Sequence, residues 1–404
     1  MPKNVSGPVV RGADLYGRRG DVDALWRLVE ASSVLLTGPR RHGKTSLQYA
    51  LFDDPQPGWT VANVDVEYID HPAEFLTTVA AELLRHQPLQ RTLTAAADLP
   101  SVLGRWLRAA ISEVGAGVPD VAQVRLVLRD ALPPIDSWPE LAEQLLVQLG
   151  RIDGDLLIIV DEFPMMVDNM LDRSAPDGLR FLKWFRALRR RTHEQGLRFL
   201  LGGSINILPR LEAMGCEALL NDLDIYRLRP FDSAVALSFV MALLDSEGAE
   251  CEDGVAQQVV AVTGSGVPFY LQVLVGELLS EARRTGEPVR VDDVARIYAL
   301  RVVGPENRHR FSHYHSRLRE HYGPYELGAR VVLGALARAD GSTPEALRHA
   351  LFVADIDSSD LEALLVMLEG DYYIVVEDGH WRFSDGLLRD WWRRNAPGAR
   401  GTGR

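Results

Sequence analysis

Residues 38–45 combine two glycines, a lysine and a threonine at a spacing suited to binding a polyphosphate. Gly38 and Gly43 bracket four residues, Lys44 and Thr45 follow directly, and the run before Gly38 is short and apolar. Glycines in such a loop allow backbone N–H groups to face phosphate oxygens, and a helix starting near the lysine directs its positive dipole end at the same anion. The pattern predicts that Lys44 contacts the β and γ phosphates of a nucleotide and that the Thr45 hydroxyl is a ligand of Mg²⁺.

The nucleotide contacts are expected to involve the whole loop and the start of the following helix: Gly38, Pro39, Arg40, Arg41, His42, Gly43, Lys44, Thr45 and Ser46. Lys44 is one of three lysines in a chain whose positive charge is otherwise arginine. A glycine-rich turn that matches by chance is the alternative interpretation. The strand-like run before the loop and the apolar helix after it disfavour that alternative.

An acidic pair, Asp161 and Glu162, follows a strongly apolar segment, DLLIIVDE at 155–162. Five consecutive apolar residues predict a parallel strand that is buried on both faces, and its carboxyl end is where α/β sheets bind ligands. We expect Asp161 to hold Mg²⁺ through water, and Glu162 to polarise the water that attacks the γ phosphate. Taken without the phosphate loop, the pair could equally cap a helix or lie in a loop.

Further strand-like segments at 60–69, 198–204 and 224–228 alternate with helical patterns. Together with the segments near 33 and 156, they predict an α/β fold with a five-stranded parallel, doubly wound sheet. Ser204 ends the fourth strand, where its hydroxyl is predicted either to assist catalysis at the γ phosphate or to cap a turn. Residues 70–154 contain at least three amphipathic stretches and are too long for a simple crossover, so they predict a helical insertion.

The pattern changes again beyond the sheet. Helices separated by Gly and Pro predict a helical lid, and three later helices followed by a hairpin with Asp378-Gly379 at its turn predict a winged helix. The predicted domains are a P-loop nucleotide-binding domain at 1–230 with its insertion at 70–154, the lid at 231–324, the winged helix at 325–395 and a flexible tail at 396–404.

With these motifs, the chain resembles the STAND class of P-loop ATPases, which is close to the AAA+ ATPases. It is most similar to the prokaryotic archaeal-type ATPase branch of that class. The resemblance covers most of the chain and implies ATP and Mg²⁺ as cofactors. Tyr16, Gly17 and Arg18 resemble the class's box near the adenine, in which Arg19 and Asp21 here replace two glutamates.

Two further elements follow from the resemblance. Gly266, Val267 and Pro268 resemble the glycine–x–proline element of the lid, which implies that Pro268 lies against the base. The family often carries an arginine that acts on a neighbouring subunit's nucleotide. The candidates here are Arg210, Arg227 and Arg229, and none has a diagnostic pattern, so oligomerisation is left open.

Charge and composition restrict the partners. Lys plus Arg number 44 and Asp plus Glu number 56, and this net charge of −12 disfavours nonspecific coating of nucleic acid. The sequence has no apolar run near the ~18 residues that span a membrane, and it has no secretory signal pattern. It has two cysteines, Cys216 and Cys251. We expect a cytoplasmic protein without membrane contact.

DNA binding is a weaker expectation than protein binding. Residues 325–404 carry 9 basic and 13 acidic residues, and the predicted recognition helix at 358–370 has three acids and no Lys or Arg. The arginine-rich stretches 180–198 and 301–319 are the other nucleic-acid candidates, and solvated helix faces are the favoured interpretation of both. The histidines at 309, 313 and 315 lack the partners of a metal site.

The sequence therefore predicts a Mg²⁺-dependent ATPase that acts as a molecular switch, coupling ATP and ADP states to recognition of a protein partner or a separate effector chain. One alternative is an initiator-like or regulatory ATP-dependent DNA-binding protein. A second alternative is a scaffold that binds ATP without hydrolysing it.

Overall fold

A computed structural model of the chain describes residues 2–98, 101–114, 121–131, 138–150, 152–203, 205–304 and 307–395. The chain divides into two compact units. The sheet unit comprises Arg18–Gly38 and Lys44–Leu228. The helical unit comprises Met1–Gly17, Pro39–Gly43 and Arg229–Arg404.

Five parallel strands in the order β2-β3-β4-β1-β5 form the sheet. Their bounds are β1 Val34–Thr37, β2 Trp59–Asp65, β3 Asp155–Asp161, β4 Leu197–Gly202 and β5 Asp224–Arg227. The predicted five-stranded parallel sheet is thus confirmed. β2 ends earlier than predicted because the Asp65 carboxylate accepts a hydrogen bond from the Glu67 N–H at 3.0 Å, which turns the chain.

Helices cover both faces of the sheet. Ile158 and Val160 of β3 belong to one apolar core, whereas Leu157 and Ile159 belong to another, as expected for a strand whose side chains alternate between two buried faces. The helices of this unit are α1 Arg19–Ala31, α2 Lys44–Asp53, α3 Pro72–Leu83, α4 Gln87–Ala97, α5 Val102–Val114, α6 Val121–Asp130, α7 Trp138–Leu149, α8 Phe163–Arg173, α9 Ala175–Thr192 and α10 Leu208–Ala213.

The insertion between β2 and β3 contains the five helices α3–α7. The three predicted amphipathic stretches correspond to α3, α5 and α7, and α4 and α6 are additional. α4 contacts α5 and α7, and α6 contacts α3 and α5, so both are stabilised by neighbouring helices. Such short helices are marginal alone, and tertiary packing decides whether they form.

The helical unit holds ten α-helices and a hairpin among its described residues. They are α11 Ser233–Ser246, α12 Val255–Thr263, α13 Pro268–Thr285, α14 Val291–Ile297, α15 Arg308–Phe311, α16 His313–His321, α17 Glu326–Arg338, α18 Pro344–Val353, α19 Leu361–Gly370 and α20 Gly386–Asn395, with β6 Ile374–Glu377 pairing antiparallel to β7 His380–Phe383. One apolar core includes residues from Phe231 to Trp392. The division of this part at residue 325 stays a prediction.

Local hydrogen bonds shape the last part of this unit. The predicted helix at 358–370 begins later, at Leu361, because the Asp357 carboxylate accepts the backbone N–H and the hydroxyl of Ser359, each at 2.9 Å. Asp378 and Gly379 have φ values of 50° and 74°, which suit a two-residue hairpin turn. No described helix is long and apolar enough to cross a bilayer.

Candidate functional site

The phosphate loop joins the end of β1 to the start of α2. Gly38 and Gly43 have φ values of 144° and 92°, which favour glycine. A Cβ on Gly38 would lie 2.9 Å from the Leu228 carbonyl oxygen, so a side chain there would collide with the backbone after β5. Lys44 is buried, and its Nζ donates a hydrogen bond to the Gly38 carbonyl oxygen at 2.6 Å. The loop is therefore folded back on itself with its lysine at the base.

The first turn of α2 meets the carboxyl end of β3. The Thr45 hydroxyl donates a hydrogen bond to the Asp161 carboxylate at 3.0 Å. Burial, and to a smaller extent the charge of Glu162, raise the pKa of Asp161 to about 6, although the Thr45 hydrogen bond acts in the opposite direction. The two predicted metal ligands therefore lie side by side in a site that disfavours an uncompensated charge.

Glu162 stands between β3 and α8 in a left-handed backbone conformation, with a φ of 56°. This conformation is uncommon for a residue other than glycine and costs about 1 kcal/mol or more. The Glu162 backbone N–H donates to the Asp161 carboxylate at 3.0 Å, which orients the two acids relative to each other. Strain of this kind is frequent where a side chain must be aimed at a site.

Two glycines at the end of β4 complete this edge of the sheet. A Cβ on Gly202 would lie 1.9 Å from Gln48 Nε2 and 3.4 Å from Asp161 Oδ1. A Cβ on Gly203 would lie 2.4 Å from Pro164 and 3.5 Å from Glu162 Oε2. The sequence analysis missed both glycines, although a Gly-Gly pair ending a strand indicates a close approach. Ser204, predicted to act here, lies outside the described residues.

A further carboxylate that the sequence analysis missed lies at the same edge. Asp65 ends β2 and is the register partner of Asp161 on β3. Asp65 is exposed, and its charge contributes to raising the pKa of Asp161. An acid at the last position of a strand adjacent to β3 is the signal that would have identified it.

The residues present fit Mg²⁺ and a polyphosphate. Hydroxyl and carboxylate oxygens, here those of Thr45 and Asp161, are the ligands that Mg²⁺ prefers. A cation beside Asp161 would stabilise the ionised carboxylate that burial disfavours. For the phosphates, a Cβ on Gly43 would meet no atom within 4 Å, so the loop is open at this position.

Two predicted base contacts, Tyr16 and Gly17, lie in the helical unit. The Tyr16 ring packs on Phe239 with centroids 5.3 Å apart, and a Cβ on Gly17 would lie 2.7 Å from Val235. Both residues are thus fitted closely against α11. Their contact with a base stays a prediction.

Arg18 is the third member of the predicted box and belongs to the sheet unit. It is buried, and its guanidinium pairs with the Asp21 carboxylate at 3.1 Å, while the Tyr226 hydroxyl donates to the same carboxylate at 2.5 Å. Burial lowers the pKa of Arg18, and the Asp21 charge opposes that shift. Asp21 therefore holds the Arg18 side chain in place.

Pro268 opens α13, and its neighbour Phe269 contacts the phosphate loop within the helical unit. The Arg41 guanidinium lies 4.5 Å from the centroid of the Phe269 ring. Arg41 has a φ of 70°, a second left-handed residue at the candidate site. His42 Nδ1 lies 3.1 Å from the Arg40 carbonyl oxygen, and Ser46 is buried in the first turn of α2.

No protein-family model and no curated protein sequence matches the chain. Solved structures do resemble it. The Walker-type ATPase PABY2304 of Pyrococcus abyssi has a TM-score of 0.63 and 18% identity, covering 97% of this chain and 98% of that one. The ORC2 protein of Aeropyrum pernix, in ADPNP–ADP complexes, has a TM-score of 0.53 and 14% identity, covering 96% of each chain.

The chain has an AAA+-like α/β fold. At these identities the likeness establishes the α/β fold with its helical C-terminal region. It does not extend to an activity.

Within this AAA+-type fold, the three candidate arginines for a neighbouring nucleotide differ in their surroundings. Arg210 on α10 donates to the carboxylates of Asp168 and Asp172 on α8, the latter at 2.6 Å. This ion pair ties α10 to the helix that begins next to Glu162. Arg227 and Arg229 are exposed.

Several arginines of the two basic stretches are paired inside the chain. Arg189 on α9 is buried and donates to both oxygens of the Asp222 carboxylate at 2.9 and 2.7 Å.

In the second stretch, Arg301 pairs with Glu281 at 2.5 Å. Arg310 donates to the Ser6 hydroxyl at 2.9 Å, and Arg317 is buried with its guanidinium 3.7 Å from the Asp371 carboxylate. The interpretation of these stretches as solvated helix faces is therefore wrong for Arg189 and Arg317, which are buried, whereas Arg301 and Arg310 stay partly exposed.

Proposed function

We propose that this chain binds ATP together with Mg²⁺ and hydrolyses it, and that the nucleotide state controls recognition of a protein partner. The hydrogen bond between Thr45 and Asp161 supports the nucleotide part most strongly. It brings the second half of the motif at 38–45 against the acid at the end of β3, which is the arrangement a metal-bound triphosphate requires.

Each residue has a chemical role in this proposal. Lys44 would compensate the charge of the β and γ phosphates, and Thr45 and Asp161 would hold Mg²⁺, which supplies charge neutralisation when bound. Glu162 would orient the attacking water and accept its proton. Ser204 is proposed to lie near the γ phosphate, since it comes two positions after the end of β4 in the chain.

The adenine of the nucleotide is assigned to residues of the upstream box and of the helical unit. We propose that Tyr16, Gly17, Arg18 and Pro268 surround the adenine. The tight fit of Gly17 against Val235 supports this, because a side chain at that position would displace the loop that carries Tyr16. We also propose that the three helices α17–α19 and the β6–β7 hairpin form a winged helix, since their order and the two-residue turn match that motif.

Protein recognition is preferred over DNA binding because of the charges on the elements that would contact DNA. Arg189, Arg301 and Arg317 already pair with acids of the chain, and α19 has no basic residue. An element with this charge pattern gains little from the release of counterions from DNA.

The test combines two measurements on the full chain. We expect saturable ATP binding that weakens when EDTA removes Mg²⁺, and phosphate release above the buffer rate. ATP binding without turnover would replace the hydrolysing switch with a non-hydrolysing scaffold. For the partner, a pull-down with Glu162→Gln in ATP is compared with the same variant in ADP and with Lys44→Ala. Recovery of the same proteins in all three samples would contradict nucleotide control.

A further inference from the structure

Two neighbouring large apolar residues at the end of α18 point away from the core of the helical unit. Phe352 and Val353 are 78% and 72% exposed, whereas Leu351 before them is 1% exposed. Single exposed apolar side chains are ordinary, but here two large apolar side chains are exposed next to each other. Exposed apolar surface that is rimmed by polar residues is typical of an interaction site.

The backbone holds this pair in a defined position. The Asp355 N–H donates to the Phe352 carbonyl at 3.1 Å, and the Ile356 N–H donates to the Leu351 carbonyl at 3.0 Å. Asp355 adopts a left-handed conformation with a φ of 58°, which ends the helix directly after the pair. A surface that is already ordered costs less conformational entropy when it binds a partner.

The chain segment that carries the pair has an excess of acids. Residues 344–370 carry six acids and one arginine, a formal charge of −5 with the histidine neutral: Glu345, Asp355, Asp357, Asp360, Glu362, Glu369 and Arg348. Arg348 pairs with Glu362 at 3.2 Å. Hydrogen bonds from the Ser359 backbone and hydroxyl lower the pKa of Asp357, so that acid is ionised at neutral pH.

The negative charge of this segment determines which class of molecule can bind to the exposed pair. DNA, RNA and anionic lipid surfaces would be repelled by the acidic loop. A second copy packed symmetrically on the same surface would bring two acidic loops together, which is unfavourable. A basic segment of another protein satisfies both features, because its apolar side chains can cover Phe352 and Val353 while its lysines and arginines face the aspartates.

We propose that the last turn of α18 and the α18–α19 loop, residues 351–362, form a docking surface for a basic amphipathic segment of a partner protein. This surface would bind the protein partner of the proposed function, and the existence of such a partner rests on that function.

The test uses the full chain and a synthetic helical peptide of about 18 residues, long enough for five turns, with leucines on one face and lysines on the other. A matched peptide carries glutamates in place of the lysines. Titration calorimetry should show saturable binding of the lysine peptide that weakens with salt, and no binding of the glutamate peptide. The double variant Phe352→Ser, Val353→Ser should weaken binding by about tenfold or more, as expected for central apolar anchors.

Two variants control for general effects. Leu300→Ser removes another apolar side chain of the helical unit, which is 62% exposed and is followed by Arg301, and it should leave peptide binding unchanged. Asp355→Asn with Asp357→Asn should weaken binding and flatten its salt dependence, because it removes two negative charges. The backbone should be unchanged, because asparagine tolerates the left-handed conformation of residue 355. Circular dichroism checks that each variant is folded.

Equal binding of both peptides, or equal loss in Leu300→Ser, would overturn the proposal. Dimerisation of the wild type that the Phe352→Ser, Val353→Ser variant abolishes would assign the surface to a second copy instead. ATP affinity is measured on the same samples. A wild type that fails to bind ATP but binds the lysine peptide at this surface would contradict the proposed function and leave the docking surface supported.

Discussion

The Thr45 hydroxyl and the Asp161 carboxylate lie 3.0 Å apart although 116 positions separate them in the chain. Thr45 is placed by the first turn of α2, and Asp161 by the last position of β3. Parallel strands bring their carboxyl ends to one edge of a sheet, so two distant motifs converge there without a long connecting loop. Glu162 and Asp65 reach the same edge from the end of β3 and from β2.

Lys44→Ala should abolish tight binding of ATP. The side chain supplies the buried positive charge at the base of the phosphate loop, and losing charge-assisted hydrogen bonds to phosphate should cost about 100-fold or more in affinity. Calorimetric titration checks this, with Lys183→Ala as the matched control because Lys183 is exposed on α9. Unchanged ATP affinity in Lys44→Ala would refute the phosphate-loop assignment.

Glu162→Gln should keep ATP bound while slowing hydrolysis by about 10² or more, the usual value of a general base. The amide preserves the size of the side chain but does not accept a proton from water. Asp161→Ala should instead weaken Mg²⁺-dependent binding itself. A fluorescent ATP analogue and single-turnover phosphate release separate the two effects. Hydrolysis at the wild-type rate in Glu162→Gln would show that another group is the base.

Arg189→Ala should destabilise the sheet unit by about 2 kcal/mol, because it removes two charge-assisted hydrogen bonds to the Asp222 carboxylate and leaves only Arg186, at 3.9 Å, beside it. The Arg189 guanidinium also donates to the Leu219 carbonyl at 2.9 Å and lies over the Phe185 ring. Arg190→Ala, one residue later and exposed, should change stability by less than about 0.5 kcal/mol. Urea unfolding compares the two variants, and equal losses would contradict the structural role of Arg189.

Acid should destabilise the helical unit through His315. Its ring lies 5.0 and 4.4 Å from the rings of Trp391 and Trp392, and its nitrogens have no hydrogen-bond partner among the described residues. Burial lowers the pKa of His315 to about 4. An unfolded histidine titrates near ~6.5, so the unfolded chain takes up the proton first as the pH is lowered. The free energy of unfolding therefore decreases as the pH falls from about 6.5 to about 4.

His315→Phe keeps a ring between the tryptophans and removes this titration. We expect the melting temperature of the variant relative to the wild type to rise as the pH falls from about 7 to about 5. Burial raises the pKa of Asp385 to about 6, which acts with the opposite sign in the same range. Comparing variant with wild type at each pH cancels that contribution. A difference that is constant with pH would show that His315 has the same pKa in the folded and the unfolded chain.

Duplex DNA should bind weakly near physiological salt, because Arg189, Arg301 and Arg317 of the basic stretches are used in internal ion pairs and α19 is acidic. Fluorescence anisotropy over a salt series measures both the affinity and its slope. Submicromolar affinity with a steep dependence on salt would report several neutralised phosphates and would favour the DNA-binding alternative.

Local sequence patterns were sufficient for the sheet and for the centre of the candidate site. The run at 155–161 forms β3 because five adjacent apolar residues must be covered on both faces, whichever helices cover them. Gly38, Gly43, Lys44 and Thr45 lie next to one another in the chain, so their spacing alone fixes the loop they form.

The tertiary structure decided which charged and small residues serve the site and which serve the core. Arg189 and Arg190 are neighbours of the same type, yet one is buried because Asp222 of a later segment faces it, and the other is exposed. Gly202 and Gly203 are required by side chains from α2 and from the β3–α8 junction, which approach β4 only in the folded sheet. Burial and charge pairing depend on partners that are distant in the chain, and a local pattern carries no information about those partners.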